Sequence, residues 1–258
     1  MILQVRCEGA PRDLGLDQGS ACRDAIRRAT RSLGRVPGGV ELGRDLTRHF
    51  PHLAERTAGL ASGAGVSTAS LLALLARTLG EAYPLEDARF VGDGLSVRLL
   101  PSIAPADLVL RWARPDGGYP SLTISHPALA ASLAGVNERG LAAAAIAVSA
   151  LSSDHVCRAP GLLLLDGCLE RLDTVEKALE WCERRPGGCL ARLLFADASG
   201  ARGAIELDGE KRSRVEPHAA SSPSGAPSLR IDAARRSLAI ELPGAPAEEL
   251  ALAPPALG

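Results

Sequence analysis

The hydrophobic period changes from helical spacing to alternation near residue 105, and that change limits the fold more than any other feature. Before it, apolar residues recur at helical spacing: Ile26, Ala29 and Leu33 share one face, with Arg27, Arg28 and Arg31 towards solvent. The turn Gly63-Ala-Gly-Val66 precedes Ser67 or Thr68, either of which can cap an apolar helix over Leu71–Leu79. After the change the period is two. Leu108, Leu110 and Trp112 alternate, Pro115-Asp-Gly-Gly118 makes a turn, and Leu122 and Ile124 alternate again, the pattern of a hairpin. Two further strands are expected over 129–134 and 141–148, on either side of the turn Asn137-Glu138-Arg139-Gly140. The unbroken apolar run Leu141–Val148 suits a strand buried on both faces, and its pattern alone leaves a buried helix open.

Downstream, Asp173 with Glu176 reads as a capping box for a helix with Val175, Ala178, Leu179 and Cys182 on one face, ended by Pro186-Gly-Gly188. Strands over Leu190–Ala196 and Ala204–Leu207 flank the turn Asp197-Ala-Ser-Gly200. The Ser/Pro/Ala-rich stretch His218–Pro227 reads as a loop before a last hairpin, Leu229–Ile231 with Leu238–Leu242. Helices first, then sheet, helix and sheet, make an α+β protein of stacked layers.

Charge and composition exclude several functions. The chain of 258 residues has 29 basic and 30 acidic side chains, a net charge of −1, which offers no cationic excess to neutralise nucleic-acid phosphates. Leu141–Val148 is the longest apolar run and falls far short of the ~20 residues of a membrane span. Met1-Ile-Leu-Gln-Val is interrupted by Arg6 and Glu8, so no signal-peptide core forms, and a cytoplasmic location is expected. The six cysteines (Cys7, Cys22, Cys157, Cys168, Cys182, Cys189) show no C-x-x-C or zinc-like spacing and are expected to be reduced core residues. Asn137 is the only asparagine in the chain.

Considered by chemistry alone, no candidate cluster makes a site. His49 and His52 are three apart, but Pro51 interrupts a helix through the pair and no third ligand is near, so no metal is expected. Asp154-His155-Val-Cys157 sets a thiol beside a base, yet near neighbours in a strand-to-loop segment seldom align for catalysis. Ser62-Gly-Ala-Gly65 follows a helical stretch and is no phosphate loop. Glu86-Asp87, and Glu206 with Asp208, read as ordinary surface carboxylates. No cofactor is implied.

Five segments in order resemble one family. Gly9-Ala-Pro-Arg-Asp-Leu-Gly-Leu-Asp-Gln-Gly19, Gly59-Leu-Ala-Ser-Gly-Ala-Gly-Val66, Gly135-Val-Asn-Glu-Arg-Gly-Leu141, Leu194-Phe-Ala-Asp-Ala-Ser-Gly200 with Ile205-Glu206, and Leu238 through Pro243-Gly-Ala-Pro246 are similar to motifs of the acyl-coenzyme A:6-aminopenicillanic acid acyltransferase-like proteins. These are peptidase family C45, within the N-terminal-nucleophile (Ntn) hydrolases. The resemblance implies a four-layer αββα sandwich: an N-terminal helical, propeptide-like segment over 1–85 packed on a core over 86–258. It implies amide hydrolysis or acyl transfer by a cysteine that self-cleavage exposes, with asparagine side chains at the oxyanion hole.

The chain departs from that family where the chemistry is done. The family's Cys-Thr-x-Phe falls on Asp87-Ala-Arg-Phe90, and no cysteine lies between Cys22 and Cys157. Ser96 is the nearest hydroxyl. Val97-Arg-Leu-Leu-Pro-Ser102 lacks the carboxylate of the element that follows, and the oxyanion asparagine falls on Ala147. A second asparagine would fall near Ala220-Ser221-Ser222-Pro223. Asn137, Glu138 and Gly140 belong to the shared turn, where a structural role is expected. The expectation is therefore a degenerate member, without a catalytic residue at Asp87 or Ala147, that binds a small molecule or peptide or partners an active enzyme. The alternative is an active amide hydrolase or acyltransferase with a displaced nucleophile such as Cys157.

Overall fold

The computed structural model describes residues 2–33, 38–81, 85–100, 104–147, 161–185, 191–208, 211–216, 228–241 and 247–252. It is a mixed α+β arrangement built on two sheets. The expected helical start is preceded by a strand, β1 (Leu3–Gly9). Five helices follow: α1 (Pro11–Ala21), α2 (Arg23–Arg31), α3 (Gly39–His49), α4 (Pro51–Ala64) and α5 (Thr68–Glu81). Ser67 caps α5, its Oγ accepting from the Ser70 N–H at 3.0 Å.

An edge hairpin, β2 (Leu85–Val91) and β3 (Gly94–Leu99), leads to the expected one, β4 (Val109–Pro115) and β5 (Ser121–Ser125). Then come β6 (Ala134–Asn137), β7 (Ala142–Ala147), helices α6 (Leu163–Arg171) and α7 (Val175–Glu183), β8 (Ala191–Ala196), β9 (Arg202–Asp208) and β10 (Lys211–Val215). The chain closes with β11 (Ser228–Asp232), β12 (Ser237–Glu241) and β13 (Glu248–Ala251). Residues 129–133, expected as strand, are irregular, and β6 begins only at Ala134.

The larger sheet runs β1-β4-β5-β6-β7-β8-β9-β10 and the smaller β13-β12-β11-β3-β2. β1 pairs in parallel with β4, so the segment 1–85, expected to be helical, begins as an edge of the main sheet. Alternation assigns the faces. Arg111, Thr123, Gly135, Ala143, Phe195 and Gly203 form one register row facing the helices. Leu110, Ile124, Ala134, Ala144 and Leu194 form the next row, against the smaller sheet. Because β7 lies between two layers, both of its faces must be apolar, and Ala142–Ala145 are fully buried.

On the smaller sheet, Ala88, Val97, Leu229 and Ile240 make a buried row. The alternate row Arg89, Ser96, Arg230, Ala239 and Glu249 lies on the opposite face, where Arg230 and Glu249 are exposed. The described layers are thus helix, sheet, sheet.

The N-terminal helices attach through glycine. Gly15 and Gly19 on α1 meet Gly59 and Gly63 on α4 so closely that a Cβ on Gly15 would lie 1.9 Å from the Arg56 carbonyl oxygen, and one on Gly59 1.9 Å from that of Arg12. Only hydrogen fits at such a crossing. The spacing that resembles a family motif at both ends of this segment is thereby a packing device.

Candidate functional site

The strand where the resemblance places the nucleophile is β2. Its sequence, Leu-Glu-Asp-Ala-Arg-Phe-Val, contains no hydroxyl, thiol or amine side chain. The register slips between Leu85 and Asp87, so Glu86 is an extra residue and Asp87 stands opposite Arg98. Asp87, Arg98, Ser228 and Glu241 form one row on the outer face, and Glu86 pairs with Arg98 at 3.0 Å. Asp87 is therefore turned away from β7. Ala147 pairs with Ala191 at the end of β7, so the structure does not bring the two expected positions face to face. Ser96 lies in the outer row too, on the wrong face to substitute for a nucleophile.

The described cysteines are poor nucleophiles. Cys7, Cys22, Cys168 and Cys182 are all buried. Burial pushes the Cys7 thiol up, the Cys22 thiol to about 11, and the Cys168 thiol well above its ordinary value. A thiol with such a pKa carries almost no thiolate near neutrality. Cys157, the Asp154–His155 pair and Ala220–Pro223 lie outside the described residues.

The two turn motifs are fully accounted for by helix capping. Asn137 is buried, its Nδ2 donating to the Leu169 and Leu172 carbonyls at 2.8 and 2.7 Å, at the C-terminal end of α6. Its Oδ1 accepts from the Arg139 and Leu141 N–H groups at 3.0 and 2.9 Å. Gly140 has φ +83°, and a Cβ there would meet Ala198 and the Ala233 carbonyl. Glu138 is half-buried, its N–H bonded to the Pro120 carbonyl.

Asp197 performs the reciprocal task at the start of α7. One oxygen accepts from the Val175 N–H at 2.9 Å, while the other accepts from the N–H and Oγ of Ser199. Burial raises its carboxyl, but the donors of Ser199, Val175 and Ala201 outweigh it and hold the group below the ordinary carboxylate range. A helix C-terminus needs a donor and an N-terminus an acceptor, so the amide and the acid cannot be exchanged. The cap of α7 itself is Thr174, whose Oγ1 accepts from the Lys177 N–H; Asp173, expected in that role, pairs instead with Lys177 Nζ at 2.7 Å.

The densest polar cluster was not legible in the sequence. Arg111 on β4 and Arg56 on α4 converge on Asp166 and Glu170 of α6, and Arg56, Arg111 and Asp166 are each under 5% exposed. Arg56 reaches Asp166 at 3.3 Å and Glu170 at 2.5 Å. Arg111 donates to Gln18, Thr123, Ser132 and the Ala130 carbonyl. Asp166 accepts from Ser132 N–H and Oγ at 2.6 and 2.8 Å. Two arginines meet two carboxylates, so the cluster is neutral, and among the described residues only Arg56 Nε of its buried guanidinium donors lacks a hydrogen-bond partner. It ties α1 and α4 to the sheet and to α6. Its place, between the helices and the sheet, is the far side of the main sheet from β2.

His52 lies near Glu170 and Asp166 of this cluster, and burial lowers the pKa of its imidazole. Among the described residues no group of three or more His, Cys, Asp or Glu side chains could hold a metal. No single described helix is long and apolar enough to cross a membrane.

No protein-family model matches the chain. None of the curated proteins matches it either. Among solved structures, penicillin V acylase from Agrobacterium tumefaciens is similar with 15% identity and a TM-score of 0.40, over 52% of this chain and 70% of that one.

Proposed function

We propose that this chain is an Ntn-hydrolase-like scaffold of the C45 kind that performs no covalent acyl chemistry and acts by binding. It works as one uncleaved chain in the cytoplasm, its segment 1–85 held on the core 86–258. The helix, sheet and sheet layers of the described residues support three of the four layers of that family's αββα arrangement. One observation carries the reading: β2 offers no nucleophile, and its register turns Asp87 to the outer face. A covalent route needs a nucleophile within reach of its base. Removing an oxyanion donor costs ~100–1000-fold by itself, and alanine stands at 147 where the resemblance calls for asparagine.

What persists from the family pattern supports a scaffold role. The paired glycines set a helix crossing, Asn137 and Asp197 cap helices, and none of these side chains points to a reaction. The reading is tested by alkylation of the native protein with iodoacetamide. Uniformly slow reaction of all six cysteines agrees with it; one fast thiol with a depressed pKa, Cys157 above all, contradicts it and favours the amide hydrolase or acyltransferase.

A further inference from the structure

Helices α6 and α7 meet through two pairs of neighbouring residues. Gly167 on α6 faces Trp181 on α7 so closely that a Cβ on the glycine would lie 2.6 Å from the indole ring. One residue further along each helix, the Cys168 and Cys182 sulfurs touch at 3.7 Å, and both side chains are fully buried. The glycine is what lets the thiols meet, since a side chain at 167 would press the two helices apart. The contact also has a mechanical position. The connection between the helices is held by Asn137, Thr174 and Asp197, whereas the thiols join the middle of α6 to the end of α7.

We propose that Cys168 and Cys182 are a disulfide-forming pair, a modification site that fastens the last turn of α7 to α6 under oxidising conditions. A disulfide has an S–S distance of ~2.05 Å, so closing the 3.7 Å contact moves each sulfur by about 0.8 Å, which small changes in χ1 provide. Cys7 and Cys22 lie in a separate apolar cluster, away from this pair.

The co-reactant is a small-molecule disulfide. One cysteine, as thiolate, attacks it and displaces one small thiol; the second attacks the resulting mixed disulfide and displaces the other. Two protein thiols are oxidised, one external disulfide is reduced, and the two cysteine protons pass to the departing thiolates. Burial governs the rate. It raises the Cys168 thiol well above its ordinary value and shuts out the reagent, so exchange proceeds when the end of α7 opens locally. Once the helix closes, the bond is enclosed. In a reducing cytoplasm the pair stands as two thiols, which is compatible with slow alkylation of the closed fold.

The test incubates the full chain with oxidised and reduced glutathione at rising ratio, in urea below the unfolding transition so that local opening is permitted. Intact mass should show the loss of two hydrogens with no glutathione retained. Tryptic cleavage after Arg171 and Lys177 separates the two cysteines, so a non-reducing digest should hold their peptides together. Closing a loop of ~15 residues should raise Tm by about 5–10 °C and slow exchange of the 182–185 amides. Cys182→Ala should abolish both effects. Each protein is compared with its own reduced form, so a variant that is merely less stable does not imitate the result. No oxidation under these conditions, stable glutathione adducts without the cross-link, a cross-link that maps to other cysteines, or a cross-linked chain whose Tm is unchanged or lower would each overturn the proposal. None of those outcomes bears on whether the chain cleaves itself or carries a nucleophile on β2, so the functional reading stands or falls separately.

Discussion

Replacing Asn137 by aspartate exchanges one Nδ2 group for one oxygen in a fully buried position, and the structure fixes what that must do. Wild-type Nδ2 supplies both hydrogens to the Leu169 and Leu172 carbonyls, while Oδ1 receives two N–H groups from the turn. A protonated aspartic acid retains one donor and the turn acceptor, so one carbonyl is orphaned at a cost of about 1–3 kcal/mol. An ionised one faces two carbonyl oxygens at the negative end of α6, unpaired and out of water.

The folded carboxyl is therefore pushed above its unfolded pKa of ~3.9. The folded state then holds its proton longer than the unfolded state, so the variant's stability relative to wild type falls as pH rises above ~4. Urea unfolding at pH 4.5 and 7.5 should show a deficit of about 1–3 kcal/mol at the lower pH and a larger one at the higher, with m unchanged. Asn137→Ala, which loses all four bonds, should cost about 3–5 kcal/mol independently of pH. An Asn137→Asp protein within 1 kcal/mol of wild type at both pH values would refute the capping account.

Other substitutions test neighbouring parts of the structure. Gly59→Ala should cost the upper end of ~1–3 kcal/mol, because its methyl group would strike backbone across the helix crossing; an unchanged Tm would contradict the α1–α4 contact. Asp166→Ala leaves Arg56 and Arg111 short of a buried carboxylate and should cost about 3–5 kcal/mol in urea unfolding. The depressed carboxyl of Asp197 gives stability that is present above its unfolded pKa of ~3.9 and is lost as pH falls through the lower folded value. Asp197→Asn should therefore flatten the acid limb of a stability–pH curve.

The sequence was informative where a local pattern has one structural solution. The hairpin of β4 and β5, the apolar face of α7 and the buried alanine strand β7 follow directly from period and turn residues, although β5 is buried on both faces rather than on one. β1 was missed because only Val5 and Cys7 of its seven residues are buried, and it is placed by a parallel partner about a hundred positions away. The bulge at Glu86, which turns Asp87 outward, depends on pairing with β3 and leaves no composition signal.

The Arg56–Asp166–Arg111 cluster joins residues from α4, α6 and β4, so no spacing rule could collect it. A buried arginine is indistinguishable from a surface one in a chain so rich in arginine. Asn137 is the opposite case. As the only asparagine, in a turn of recognisable form, it was identifiable as structural before its four hydrogen bonds were known.

The central claim, a scaffold that keeps its segment 1–85 and has no nucleophile on β2, is tested most directly by the intact mass of the purified protein. One species with the mass of all 258 residues, unchanged on prolonged incubation, is the expected result. Two fragments divided ahead of Asp87 would show self-processing and contradict the account.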